Sequence, residues 1–355
     1  MTAARLCAHF GTCGGCAYQD MPEADYRALK RNSVVTALTR HGFEHPQVED
    51  VVAVPPFTRR RAVFKVSRRD GAVRIGFHAA KSHVIADMRE CRVLTPALTA
   101  LVAPLREMME GLLGEDETDE LHVTETENGF DITARWQRAN TPALVARIAS
   151  WAPRLKLARF ISHGEALVEL AQPFVYIGKA QVRVPSEGFL QPTREGEAVL
   201  QEHVVKALSG AKNIADLFAG VGTFALAIAP WSKVHAVESS AGALAALGDA
   251  ARRTAGLKPV TTERRDLFKR PLSAAELNRF DAVVLDPPRA GALAQIDQLA
   301  QSKVGRIAYV SCDAASFARD ARVLVDAGFL IGPVVPVDQF LWSEHIELVA
   351  SFARG

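Results

Sequence analysis

The stretch IADLFAGVGTFALAIA, residues 214–229, decides the fold. A short apolar run reaches Phe218, breaks at Gly220 and Gly222, and gives way at once to a helix-like run. Bare backbone between a strand and a helix is where α/β sheets let a ligand come close. The next apolar strand ends as VHAVESS, residues 234–240, and places Glu238 at its carboxyl end, where one carboxylate can accept both hydroxyls of a ribose. The third glycine of GxGxxG is missing, which argues against a dinucleotide and for a smaller nucleoside cofactor. A tight turn beside a solvated acid is the plainer reading of the same residues. The pairing of turn and acid on successive strands outweighs it.

Outward from this turn, the chain beyond about residue 190 alternates short apolar strands with longer amphipathic helices, the pattern of a doubly wound parallel sheet. Strands are expected at 213–218, 233–238, 259–264, 281–286, 306–311, 333–339 and 345–352. The last two lack a helix-length connection, so they should form an antiparallel pair at the sheet's end. Upstream, a helix is expected over 22–41, short strands at 49–54, 61–68, 72–78 and 82–88, and a helix over 95–113. LHVTETENGFDITARW, residues 121–136, alternates apolar and polar residues on both sides of Asn128-Gly129, the favoured centre of a type I′ hairpin. A helix at 141–151 and strands near 157–170 complete an α+β unit.

Two more strand ends carry chemistry. DAVVLDPPRAG, residues 281–291, follows a buried-strand pattern with Asp286, two rigid prolines and Arg289. Prolines there could merely stop a strand, but an acid and an arginine beside them mark a site loop. RIAYVSCDAASFARD, residues 306–320, delivers Cys312 to the same sheet edge, with a helix starting behind it. A lone cysteine is ordinarily a small core residue. At a helix N-terminus its thiol should ionise more readily, and its place beside the other two loops favours a reactive role.

The 355 residues allow two domains, and no apolar stretch is long enough for a membrane span. A net charge of +2 does not announce a nucleic-acid binder, so any basic footprint must be local. FTRRRAVFKVSRRD, residues 57–70, is the candidate, with a solvated strand edge as its bland alternative. Cys7, Cys13 and Cys16 crowd the N-terminus and Cys91 lies far downstream. In a reducing compartment such a set reads as a tetrathiolate metal site, and its spacing does not choose between zinc and a four-iron four-sulfur cluster. The radical C-x3-C-x2-C pattern is not present.

Together, DLFAGVGTF, LDPPRAG, YVSC and the terminal HIE resemble the RNA 5-methyluridine methyltransferase family, whose bacterial members modify transfer RNA or large-subunit ribosomal RNA. The motifs stand in the family's order. The resemblance covers nearly the whole chain, because the cysteine pattern resembles that of the ribosomal RNA branch, which carries an iron-sulfur cluster. It implies a Rossmann-like class I S-adenosylmethionine methyltransferase domain over 186–355, an α+β RNA-binding region over 21–185, and a cluster segment over 1–20 joined by Cys91. It also implies a cytoplasmic, monomeric enzyme that methylates carbon 5 of a uridine in 23S ribosomal RNA, with transfer RNA as the alternative. No β-barrel precedes Cys7, so the TRAM domain of some members is expected to be absent.

Carried over residue by residue, the resemblance implies Cys312 as nucleophile and Glu347 of His345-Ile346-Glu347 as general base. Phe189 and Gln191 of GFLQPT match groups near the base and cofactor, and Arg289 is assigned to the base. Gln191, Phe218, Gly220, Gly222, Thr223, Glu238, Asp266 and Asp286 would hold S-adenosylmethionine, with Thr223 and Asp266 standing where asparagine is frequent. The four N-terminal-set cysteines would hold the cluster. Two departures bear on the substrate: Cys312-Asp313-Ala314 replaces Cys-Asn-Pro, making the loop more negative and less rigid, and DQFLWSEHIE lacks the usual proline.

The chemistry explains why such groups are needed. Carbon 5 of uracil is a poor nucleophile until a thiolate adds at carbon 6, and a base must then remove the carbon 5 proton so that the thiolate can leave. A stacked base must be unpaired or flipped to be reached, and Phe189 is placed to receive it. A 5-methylcytidine enzyme is the rival within catalysis, but it resembles a Pro-Cys motif on the fourth strand, where this chain has DPPR. A cluster-bearing RNA-binding protein with an idle methyltransferase fold is the rival outside it.

Overall fold

The computed structural model describes residues 6–355; residues 1–5 of the expected cluster segment lie outside it. The N-terminal half runs α1 (Glu23–Arg40), β1 (Val52–Ala53), β2 (Arg61–Arg69), β3 (Ala72–His78), β4 (Ile85–Asp87), α2 (Pro96–Glu110), β5 (Thr118–Thr126), β6 (Gly129–Arg135), α3 (Pro142–Trp151), β7 (Leu157–Ser162) and β8 (Glu165–Glu169). A hairpin of β9 (Phe174–Ile177) and β10 (Ala180–Arg183) leads to α4 (Arg194–Ala207). The remainder is β11 (Asn213–Leu217), α5 (Ala225–Ile228), β12 (Lys233–Glu238), α6 (Ala241–Arg253), β13 (Val260–Arg264), α7 (Ala274–Leu277), β14 (Ala282–Leu285), α8 (Leu293–Gln301), β15 (Arg306–Ser311), α9 (Ala314–Asp326), β16 (Phe329–Ile331), β17 (Val335–Asp338) and β18 (Glu347–Arg354). No helix among the described residues is long and apolar enough to cross a membrane.

The C-terminal sheet is ordered β1-β17-β18-β15-β14-β11-β12-β13, with β16 pairing β18. Its central strands are buried on both faces, so they read as unbroken apolar runs such as Ala282–Leu285. The β9–β10 hairpin, α4 and α6 cover one face, and α1, α8 and α9 the other. β17 and β18 are antiparallel, as expected, but they are not the sheet's end: β18 inserts beside β15, and β1 pairs β17 in parallel at the edge.

The other sheet is ordered β4-β3-β2-β5-β6-β7-β8 and packs α2 and α3 on one face around Phe64, Leu98, Leu105, Ile132 and Phe160. Thr95 and Thr141 cap the two helices, each accepting from a backbone N–H three residues on, and each is followed by a proline. The turn between β5 and β6 falls on Glu127-Asn128, because Thr126 pairs directly with Gly129. Gly129 serves a different need: at φ +134 it lies against β7, and a Cβ there would come within 2.6 Å of the Lys156 carbonyl oxygen.

Two stretches assigned from the sequence to the RNA-binding region pack elsewhere. Val34 and Leu38 of α1 join Phe317, Ala321 and Leu324 of α9, and Val175, Ile177, Ala180 and Val182 of the hairpin join the core beneath α4 and α6. The physical reason is that α1 carries a narrow apolar stripe that needs a helix partner, and the hairpin is too short to bury its inner face alone.

Candidate functional site

A cavity of about 440 Å³ lies at the carboxyl edge of the parallel strands. Phe218 follows β11, Glu238 ends β12, Arg265 and Asp266 follow β13, Asp286 follows β14, and Cys312 follows β15; all line it. Glu347 reaches the same edge because β18 runs backwards. Ser311 pairs with Leu348, so the residue after β15 and the first residue of β18 stand opposite one another. Phe189, Gln191, Gly220, Thr223 and Arg289 complete the set expected from the sequence, with Gly222 as the exception. That glycine, at φ +98, is needed for packing: a Cβ would meet Leu247 of α6 at 2.4 Å.

The glycine-turn end of the cavity is held by backbone. Phe218 adopts φ +63, a strained conformation for a side chain of its size, and its ring lies 5.4 Å from Phe268 at the rim. Glu238 Oε2 accepts from the Gly220 N–H at 3.1 Å, while Oε1 accepts from the Ser239 and Ser240 N–H groups at 2.7 and 2.8 Å. Asp266 Oδ1 accepts from the N–H groups of Phe268 and Lys269, which closes the next turn. Asp216, wholly buried in β11, accepts from the Ala225 N–H at 2.8 Å, and burial pushes its carboxyl well above the usual range. An acid inside the apolar run IADLF was the available signal for it.

The reacting end is crowded with acids. Burial raises Asp286 to about 7, with a hydrogen bond from the Gln191 amide, at 3.1 Å, acting against it. Glu347 is raised well above its ordinary value by burial and by Asp286. Cys312 is pushed up to about 11 by burial, then by Glu347 and Asp286; Arg289 and its own backbone N–H work the other way. The helix N-terminus behind Cys312 therefore does not win, contrary to expectation, because desolvation and two neighbouring carboxyls act on the same thiol.

Asp313 is neither loose nor an added free charge. Its side chain caps α9 by accepting from the Ser316 N–H at 2.8 Å, and it stands 3.8 Å from Arg289. Gln339, passed over in the sequence, is 1% exposed and bridges Gln191 and Thr193. A polar residue ending the apolar run VVPVD was its only signal.

The arginine run does not form a phosphate comb. Arg60 is buried on Glu197 at 2.7 Å and donates to the Gln191 carbonyl, and Arg61 donates to the Leu190 and Gly188 carbonyls while lying 5.2 Å over the Phe189 ring. Arg59 donates to the Arg61 carbonyl and covers Phe340. Three successive arginines thus pin the segment 188–191 and the loop after β17 to the cavity. Lys65 pairs Glu120 on the neighbouring strand, and Arg68 caps carbonyls at the end of α2.

Cys7, Cys13, Cys16 and Cys91 line a second cavity of about 190 Å³, walled by Phe77, Met88 and Leu94. Burial raises Cys16 to about 12, helped by the other three thiols, and it also raises Cys13 and Cys91. Four soft donors around one cavity are a chemically fitting set for a metal centre. Among the described residues no three side chains converge on the point a single ion would occupy. Zinc would need sulfurs about 3.8 Å apart, from a Zn–S bond of about 2.3 Å.

The family described as tRNA (Uracil-5-)-methyltransferase matches residues 174–353. An uncharacterized RNA methyltransferase of Brucella suis biovar 1 is 44% identical over 356 residues, covering 98% of this chain and 84% of that protein. A 23S rRNA (uracil(1939)-C(5))-methyltransferase of Chromohalobacter salexigens is 33% identical, covering 98% and 76%. The crystal structure of Pyrococcus abyssi tRNA (uracil-54, C5)-methyltransferase with S-adenosyl-L-homocysteine superposes with a TM-score of 0.71 over 96% of this chain and 86% of that one. At 20% identity that likeness speaks for the fold.

Proposed function

We propose a reaction course and an RNA target for this chain, which belongs to the RNA uracil-C5 methyltransferase family and is an S-adenosylmethionine-dependent enzyme of that class. The observation that carries the course is that Cys312, Glu347 and Asp286 share one cavity with the Glu238 turn. Glu238 holds the cofactor ribose, Phe218 and Phe268 bracket its adenine, and S-adenosylmethionine supplies an electrophilic methyl. Phe189, with Arg61 on its ring, receives the flipped uracil at the rim.

The Cys312 thiolate adds to carbon 6, and the ring electrons move onto the carbon 5 enolate. Carbon 5 takes the methyl while the carbon–sulfur bond of the donor breaks with its electron pair on sulfur. Glu347 removes the carbon 5 proton, the ring double bond re-forms, and the Cys312 thiolate departs. Asp313 and Arg289 keep the nucleophile loop in place meanwhile.

The RNA is assigned as 23S ribosomal RNA, supported by the Chromohalobacter relative over 98% of this chain. Cys7, Cys13, Cys16 and Cys91 are assigned to a four-iron four-sulfur cluster, a reading supported by the four thiols lining one cavity. There it would tie the N-terminal loop to the β4 end of the other sheet. Glu347→Gln tests the course: it should stall with a methylated RNA attached to Cys312, seen as a band surviving denaturing electrophoresis and lost in the Cys312→Ala double variant. Turnover at near the parent rate with no such band would remove Glu347 as the base. Tritium release from carbon 5 of labelled 23S fragments against transfer RNA reads the target.

A further inference from the structure

One buried side chain touches both halves of the reacting end. Gln339 follows β17, and its Nε2 donates to Gln191 Oε1 at 2.8 Å while its Oε1 accepts from the Thr193 hydroxyl at 3.3 Å. Gln191 in turn donates through Nε2 to Asp286 Oδ2 at 3.1 Å. Val337 of β17 stands opposite Glu347 of β18, so Gln339, two residues further on, lies at the same edge of the sheet, and its amide favours the charged form of the Glu347 carboxyl.

The polarity of this relay is dictated by its ends. Gln191 offers an N–H to the Asp286 carboxyl and turns its carbonyl to Gln339. Gln339 then presents its NH2 group, spending one N–H on Gln191 and leaving the other on the Glu347 side. Its carbonyl is left for Thr193, whose hydroxyl can donate there and accept from the Gly196 N–H at 3.0 Å. The packing is as close as the hydrogen bonding: a Cβ on Gly196 would stand 2.5 Å from Gln339 Oε1.

We propose that Gln339 is a positioning residue that aims the Glu347 carboxyl at the carbon 5 proton and, through the same amide, fixes which edge of Gln191 faces the cavity. The inference rests on Glu347 being the base. Because Gln339 favours the charged form of Glu347, its loss raises that carboxyl further. A base works only when ionised, so activity on the acid side must then be lost at a higher pH than in the parent. The other charged or titratable groups of the cavity are Asp286, Cys312 and Arg289 at this end and Glu238, Arg265 and Asp266 at the other; the substitution touches none of them directly and reaches Asp286 through Gln191.

Gln339→Met keeps an unbranched chain of similar length and removes both donors. Its acid limb should move up by about one to two pH units, the size of one hydrogen bond to a charged group. The covalent RNA adduct should also accumulate transiently, since elimination slows while addition does not. Gly196→Ala, which pushes the amide aside without deleting it, should move both readouts in the same direction and serves if Gln339→Met does not fold. A uniform loss of rate at every pH with no adduct, in whichever variant folds, would overturn the inference. Glu347→Gln run alongside separates the failures: if it traps an adduct while the Gln339 and Gly196 variants shift nothing, the positioning role alone falls, and if it turns over normally the base assignment falls with it.

Discussion

The high position of the Cys312 thiol sets a problem that the cofactor's charge should solve. At about 11, roughly one thiol in three thousand is ionised at pH 7.5. For a methyl to reach carbon 5 while Cys312 attacks carbon 6, the sulfonium must sit about 6 Å from the sulfur, given near-attack spacings. A unit charge at that distance with an effective dielectric of about 20 is worth about 3 kcal/mol, or about two pH units, and the cavity's opening to solvent reduces that by about half. S-adenosylmethionine should therefore speed capture of Cys312 by iodoacetamide about ten- to a hundredfold. S-adenosylhomocysteine has nearly the same body and no sulfonium charge, so it controls for shielding and should not accelerate capture. The assay is peptide mass spectrometry of the Cys312 fragment over pH 6–10 under each condition. The sign is fixed: a lowered thiol pKa moves the alkylation limb to lower pH. Equal limbs with the two ligands would refute the reasoning and leave RNA binding as the step that ionises Cys312.

Further outcomes follow from single contacts. Glu238→Ala should weaken S-adenosylmethionine binding by about 1.5 to 3 kcal/mol by calorimetry, and toward the larger value because the same carboxylate holds the Gly220, Ser239 and Ser240 N–H groups. Anaerobically purified protein should be brown, with iron and acid-labile sulfide, and Cys16→Ser should bleach it; colourless protein with one zinc would replace the cluster assignment and leave the methyltransferase untouched. Arg60→Met should cost about 3 to 5 kcal/mol in denaturant unfolding, because it strands the buried Glu197, and Glu197→Met in the same chain should restore part of that loss.

The C-terminal fold was legible because buried parallel strands announce themselves: Ala282–Leu285 is apolar throughout, Arg306–Ser311 is apolar between its two ends, and they deliver Asp286 and Cys312 where the strands stop. The meeting of Cys312 and Glu347 follows from a connection too short for a crossover, which forces β18 to run backwards. What stayed hidden was what depends on packing between distant segments. Gly222 and Gly129 look like turn glycines, and only the closeness of Leu247 and Lys156 shows their separate reasons. The Arg59-Arg60-Arg61 run reads as an exposed basic stripe because charge alone carries no information on burial; Glu197, more than a hundred residues away, supplies the partner.

That misreading also bears on how the enzyme is built. The segment carrying Phe189 and Gln191 belongs to neither sheet, and its carbonyls at Gly188, Leu190 and Gln191 are taken by arginines of the β2 end. The loop carrying Gln339 is held from the same side. Arg59 covers Phe340, the Ala17 and Tyr18 N–H groups donate to the Trp342 carbonyl, and the buried Lys30 and Tyr26 of α1 both bind Asp338. The N-terminal half therefore braces the 188–191 segment and the loop after β17, whereas the Glu238 turn and its neighbours stand on the ends of β11 to β14. Substitutions in the N-terminal half should reach the reaction through placement of the base and Glu347. Those at the glycine turn should reach it through cofactor affinity, so the two classes should separate as effects on kcat with RNA and on the Kd for S-adenosylmethionine.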